Sequence, residues 1–532
     1  MPTTPASADR SFFGHPRGLS TLFFTEMWER FSYYGIRPLL VLFMTAALLN
    51  GGFGFDRETA SAIVGIYAAC VYLASLPGGW IADRWLGLRR AIWYGGVLIA
   101  LGHLSIALSA VFAQHVFFLG LILIVAGTGL LKPNISAIVG ELYPEGGARR
   151  DAGFSIFYMG INVGALVAPL VTGYLGERVG WHWGFGSAGV GMLIGLITYR
   201  LRAPGTLGAI GNAPSVGPQE QAKVRNYTMI GVGILAAVVL AAMLGLFTIN
   251  APAVAARMRD VMLVMAVLYF LYLFFAAGLT TDEKKRVAVI IVLFVFATIF
   301  WSAFEQAPTS LNLFAQDFTD RTLFGWEVPI LWLQSINSLF VIVFAPVFAW
   351  LWVSMGSRGM NPSSPTKFAF ALLMAGLGFW IMVAAANQVI SGGGAVKVSM
   401  MWLTVSYLLQ TFGELSLSPV GLSSMTKLAP KAFAGQMMGV WFMAAALGNL
   451  IAGIVGGHVD PEKLDQMPAL FQRTSISLFI AAGVLALLII PIRNMMKESS
   501  AAGNHRNSGR CHWDFGMSSS RQRLPDSITP TR

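Results

Sequence analysis

The chain has 532 residues, of which 55% are hydrophobic and only 11% charged, with a mean hydropathy of +0.65. Soluble domains carry about a quarter charged residues, so this composition excludes a soluble globule and asks for lipid as the solvent of the outer surface. A net charge of +11 does not point to nucleic acid, because basic residues gather on the cytoplasmic loops of membrane proteins.

Residues 1–17 read as a polar cytoplasmic segment, with neither the apolar core nor the cleavage site of a signal peptide. Apolar stretches of crossing length follow at roughly 20–49, 59–82, 91–112, 116–140, 152–175 and 184–201, forming an N-terminal six-helix bundle over 18–202. A Gly-, Pro-, Ala- and Gln-rich linker then leads to two further stretches, roughly 227–249 and 259–279, so that 203–285 is linker plus two extra helices. A C-terminal six-helix bundle over 286–496 is built from stretches near 286–315, 329–353, 368–390, 398–428, 432–456 and 470–495. Residues 497–532, rich in Ser, Arg and Asn, read as a disordered cytoplasmic tail. The fold class is therefore all-α membrane, with about fourteen spans.

The loops orient the bundle. Arg84, Arg89, Arg90, Arg149, Arg150, Arg200, Arg202, Lys223, Arg225, Lys284, Lys285, Arg286, Arg358, Lys367, Lys427 and Lys431 fall on the side of the N-terminus, whereas the opposite loops carry mostly acids such as Asp56, Glu177, Asp317 and Glu327. The excess of positive charge places both termini in the cytoplasm. Cys70 lies in an apolar run and Cys511 in the tail, so no disulfide and no metal spacing are expected.

Ionisable groups inside spans are costly unless paired or wetted, which makes each a functional candidate. In the first stretch Glu26, Glu29, Arg30, Tyr33, Tyr34 and Arg37 share one helical face, leaving Leu22, Phe24 and Trp28 to the lipid. Lys132 follows Gly127 and Gly129 and precedes Pro133, a setting that weakens a helix. Glu305 stands one turn after Trp301 in the 286–315 stretch, near Pro308. Tyr407, Gln410, Glu414 and Ser418 align on one face of the 398–428 stretch. His103, with no charged neighbour on its face, reads as packing. The first half thus supplies mainly cations and the second half acids, a dipolar site suited to a zwitterion. Burial favours the protonated form of a carboxyl, which also suits such groups to carry protons.

After the second stretch, GGWIADRWLGLRR contains Gly79, Asp83, Arg84 and Gly87 in a tight basic turn. This motif, with the six-plus-six layout, resembles the major facilitator superfamily. EMWERFSYYG, FSIFYMGINVGAL, GTGLLKPN, FEQ, GELSLSP and MGVWF carry the resemblance further, to the proton-dependent oligopeptide transporter (POT) family, over about residues 18–495. The resemblance implies proton coupling through Glu26, Glu29, Arg30, Lys132 and Glu305, with Glu305 pairing Arg37 or Lys132 as an outer gate changes state. It implies that Arg37 and Lys132 face a peptide carboxylate and that Glu414, with Asn162 and Asn337, holds the amino group and backbone. It also implies that Tyr33, Tyr34, Tyr72, Trp301 and Trp441 line side-chain pockets, while Ser418 shares the face of Glu414. Ser338 follows Asn337 where the family more often has proline, which leaves the local bend of that helix open.

The expected function is a proton-coupled symporter importing di- and tripeptides by alternating access in a bacterial inner membrane. The alternative is a POT-type carrier of another small solute, such as nitrate or a peptide-like compound. No cofactor is expected, the proton gradient being the driving force; the partners are peptide, protons and lipid, without nucleic acid, and the chain is expected to be a monomer. No nucleophile with paired carboxylates, metal cluster or phosphate loop suggests an enzyme.

Overall fold

Inside a bilayer no water satisfies backbone N–H and C=O groups, and a helix satisfies them within its own segment. The computed structural model, which describes residues 9–112, 114–360 and 362–508, is accordingly built of long helices. The first half comprises α1 (Arg17–Thr45), α2 (Arg57–Ile81), α3 (Leu88–Leu108), α4 (Gln114–Glu141), α5 (Gly147–Arg178) and α6 (Trp181–Thr206). Two further helices follow, α7 (Pro218–Met243) and α8 (Ala251–Phe275). The second half comprises α9 (Thr281–Phe304), the short α10 (Asn312–Asp317), α11 (Trp332–Ser357), α12 (Ser364–Ser391), α13 (Met401–Leu428), α14 (Ala434–Gly456) and α15 (Gln466–Ser508).

Among the described residues, twelve helical segments, α9 and α10 counting as one, are long and apolar enough to cross a membrane. The two long helices that fall short of that apolarity, α1 and α13, are those that carry Glu26, Glu29, Arg30 and Arg37, and Glu414. Their polarity is affordable because protein, not lipid, surrounds them. This corrects one expectation: Leu22 does not face lipid but is fully buried, and Trp28 lies against Gly191 and Gly195 of α6. With α5 and α6 packed along it, and α2 beside it, α1 keeps no broad lipid side.

The halves meet along two seams, α2 with α14 and α5 with α11. Lipid tails are as apolar as leucine, so close packing, not water exclusion, must hold such helices together. Gly65 and Gly453 face each other so closely that a Cβ on Gly65 would lie 2.8 Å from the Gly453 Cα. The face bearing Arg84, Arg89, Arg149 and Arg200 is here called the basic face, and the other the distal face. On the distal face two short strand pairs, Thr319–Asp320 with Val398–Ser399 and Thr322–Leu323 with Trp326–Glu327, tie the loop before α11.

Two boundaries differ from the sequence reading. The 286–315 stretch begins at Thr281, set by a reciprocal cap between Thr280 and Glu283, and it is not one helix. α9 stops at Phe304, and a wide turn over Ala307–Leu311 intervenes before α10, because Pro308 offers no N–H to the helical ladder. α15 is drawn on to Ser508, past the start of the expected tail at 497. Residues 509–532, including Cys511, lie outside the described residues. Ser338 leaves α11 unbroken, with Pro346 its internal proline.

At the basic face the turn after α2 is wound more widely than an α-helix over Ala82–Leu86 and ends at Gly87, whose φ of +78° favours glycine. The linker is stitched to this turn. Ser215 donates through N–H and Oγ–H to the Asp83 carbonyl at 2.7 and 2.8 Å, and Arg84 pairs with Glu220 in the first turn of α7 at 2.5 Å. Arg89 donates to the Gly208 carbonyl at 2.7 Å.

Candidate functional site

Because α1 is packed on most sides, its charged face is held where it has protein partners. Arg30 is the hub: its Nε lies 2.5 Å from Glu29 Oε2 and 3.2 Å from Glu26 Oε1, all three side chains being almost fully buried. Thr128 of α4 donates to the other Glu29 oxygen at 3.5 Å. One turn on, the Tyr33 ring stands between two guanidinium groups, with Arg30 Cζ 5.1 Å and Arg37 Cζ 5.9 Å from its centroid, distances at which cation and ring attract. Tyr67 of α2 stacks on Tyr33 with centroids 6.1 Å apart.

Arg37 reaches across to the second half. Its Nη2 is ion-paired with Glu305 and donates to Asn449 Oδ1 of α14 at 2.8 Å. Glu305 is presented at the point where α9 ends, so the break at Pro308 aims the carboxylate at α1. Beside this pair is a cavity lined by Tyr34, Arg37, Phe304, Glu305, Gln334, Asn337, Ser338, Tyr407 and Gln410, with Pro38, Ala165, Pro169, Ala307 and Pro308 completing it. Asn337 donates to Thr411 Oγ1 at 2.9 Å and to Glu414 Oε2 at 3.3 Å, which links the cavity wall to the Glu414 carboxylate.

The remaining expected residues are placed variously. Lys132 sits over the Tyr72 ring, with Nζ 4.4 Å from its centroid, and among the described residues it makes no ion pair. It remains within electrostatic range of Glu26, Glu29 and Glu305. Asn162 is spent on its own helix, donating to the Tyr158 carbonyl at 3.0 Å. Trp301 meets Phe300 and Phe304 edge to face, and Trp441 packs against Gly421, so both rings belong to the second half's interior and not to the wall of this cavity. Ser418 lies one turn beyond Glu414 toward the basic face. His103 is buried without a hydrogen-bond partner among the described residues.

Several residues of the site were not anticipated: Asn449, Gln334, Thr128, Tyr67 and Tyr158, the last within electrostatic range of Glu414. Asn449 had a signal available, an amide inside an otherwise apolar stretch.

The hydrogen bonds and ion pairs that join the halves, among the described residues, run from Arg37 outward to the distal face. They include Asn312 to the Pro38 carbonyl at 2.8 Å, Arg57 with Asp317 at 2.6 Å, and Trp332 Nε1 to the Leu170 carbonyl at 2.9 Å. The distal face is thus fastened.

Two six-helix halves closed over a charged central cavity define a membrane transporter of the major facilitator fold. Residues 89–468 match the POT family (PTR2), and the chain belongs to that family. It is 51% identical to the peptide transporter YePEPT of Yersinia enterocolitica over 93% of this chain and 98% of that one. It is 38% identical to a di-/tripeptide transporter of Lactococcus lactis over 92% and 97%. Among solved structures it is similar to a peptide transporter POT in complex with sulfate, with a TM-score of 0.85, 40% identity and coverage of 93% and 98%. A POT family transporter in complex with a thioalcohol-conjugated peptide matches with a TM-score of 0.82, 38% identity and coverage of 92% and 99%. The chain is a multi-pass membrane protein.

Proposed function

We propose that this protein is a proton-coupled symporter that imports di- and tripeptides by alternating access, with both termini in the cytoplasm and the distal face outside. The carrying observation is the Arg37–Glu305 pair, which bridges the two halves at the wall of the cavity. Protonating Glu305, or offering Arg37 a substrate carboxylate, removes the charge that fastens the halves, so proton, peptide and gate act on one contact. Peptide as substrate is supported by the peptide transporters among the relatives. In this reading Glu26, Glu29 and Arg30, with Lys132 nearby, hold the coupling proton. Arg37 and Lys132 receive the peptide carboxylate, and Glu414, Asn337 and Asn162 its amino group and backbone. Tyr33, Tyr34, Tyr72 and Ser418 shape the side-chain pockets.

A second reading, transport of a peptide-like compound, is favoured by a POT family transporter solved with 5-aminolevulinic acid, 37% identical to this chain. Uptake of a labelled dipeptide into proteoliposomes tests both. An inward proton gradient should drive accumulation, and excess 5-aminolevulinic acid should leave it unchanged in the first reading but compete in the second. No gradient-dependent uptake of any dipeptide would overturn the first.

A further inference from the structure

At the distal seam between α5 and α11 an acidic side chain is set into a socket of the other half, beside Arg178, which donates to the Glu327 carbonyl at 2.5 Å. Glu177, in the last turn of α5, accepts the Ile330 N–H at 2.9 Å through Oε2 and the Leu331 N–H at 3.2 Å through Oε1. These are free donors at the entry to α11, where the helix end is electropositive and a carboxylate binds well. Arg321 adds a guanidinium 3.9 Å from Oε2, and both side chains are largely buried. Arg321 is itself fixed, donating to the Val328 carbonyl at 2.5 Å and to Glu327 Oε1 at 2.6 Å.

The seam continues inward on the same faces. Trp332 donates to the Leu170 carbonyl at 2.9 Å and Ser335 to the Leu166 carbonyl at 2.8 Å. Gly173 lets Leu331 approach so closely that a Cβ there would lie 2.6 Å from the Leu331 Cβ. Of the three rungs only the outermost uses a charged acceptor, and charge-assisted bonds are roughly twice as strong as neutral ones. Within its first two turns α11 carries Gln334 and Asn337 into the cavity wall.

We infer that Glu177 is a positioning residue of the transport cycle: it anchors α5 to the start of α11, holds the distal face shut and sets the depth of Gln334 and Asn337 in the cavity. When that face opens, the carboxylate and its socket part and are hydrated separately. The inference rests on the alternating-access reading above.

The test uses the full chain with Cys70→Ser, Cys511→Ser and the cavity reporter Ala165→Cys, labelled in spheroplasts by a membrane-impermeant maleimide added outside. Glu177→Ala should raise the labelling rate at least fivefold. Glu177→Gln, whose amide oxygen still accepts an N–H, should restore much of the slow rate. A mere loss of stability lowers yield without this rescue. Equal labelling of parent and Glu177→Ala overturns the inference; should Glu177→Ala not reach the membrane, Glu177→Asp, whose shorter arm cannot span both N–H groups, is read in its place, and a rate equal to the parent's overturns it instead. Labelling needs neither peptide nor proton gradient, so failed dipeptide uptake with raised labelling would sink the transport reading alone.

Discussion

Arg37 holds two acceptors from the opposite half, the Glu305 carboxylate and the Asn449 amide oxygen, in a place nearly free of solvent. Breaking a buried pair by removing one member strands a charge and costs about 3–5 kcal/mol, whereas replacing both with apolar groups is often neutral. Glu305→Ala should therefore lower the thermal midpoint in detergent more than the double change Arg37→Leu with Glu305→Leu, while both lose uptake. The Arg30 hub predicts a different outcome. Glu29→Gln keeps a hydrogen-bond acceptor for Arg30 but cannot give up a proton, so gradient-driven uptake should fall at least tenfold while counterflow exchange persists; undiminished driven uptake would refute coupling through Glu29. Which residues share the site was partly legible, because charge in an apolar stretch announces itself. Glu26, Glu29, Arg30, Arg37 and Glu305 were all found this way. The family resemblance offered Arg37 or Lys132 as the partner of Glu305, but the choice of Arg37 was not legible. That Lys132 rests on an aromatic ring, and that Asn449 completes the Arg37 contact, depend on helix rotation and tertiary neighbours that spacing along one helix does not encode.

Among the elements, α2 and α14 set how closely the halves can approach. A side chain at Gly65 would strike the backbone of Gly453 and the Asn449 carbonyl at 3.1 Å, and backbone cannot yield as a flexible side chain can. Gly65→Val should leave a protein that inserts and elutes as a single species yet loses most of its uptake, since the distal end of the seam no longer seats. Retained uptake would mean the seam is not needed closed. Element positions were readable from apolar run lengths, within a few residues at the ends. The break after Phe304 was signposted by Pro308, but its effect of aiming Glu305 was not. Reading α1 as a half-exposed helix failed at Leu22 for a physical reason: a central helix of a bundle is buried on several faces, so amphipathic reasoning, which assumes one apolar solvent side, does not apply to it.

At the scale of the molecule, the two extra helices differ in their surroundings. α8 lies against α2, α14 and α9, whereas the apolar side chains of α7 point almost wholly outward. Lipid tails solvate any apolar surface equally well, so changing Met229, Val232 and Leu235 of α7 together to other aliphatic residues should leave dipeptide uptake within about twofold of the parent, an expectation resting on that principle. Uptake measured beside surface expression checks it. The stitching of the linker to the turn after α2 has a mechanical consequence. Ser215, Glu220 and Gly208 are bound to the first half alone, while Tyr269 of α8 donates to Gln436 of the second half at 2.7 Å. A hairpin riveted to one moving body and leaning on the other behaves as an outrigger. In the alternating-access cycle proposed above, each swing of the halves would drag it through the lipid and slide it over α14, so turnover should slow as the bilayer stiffens.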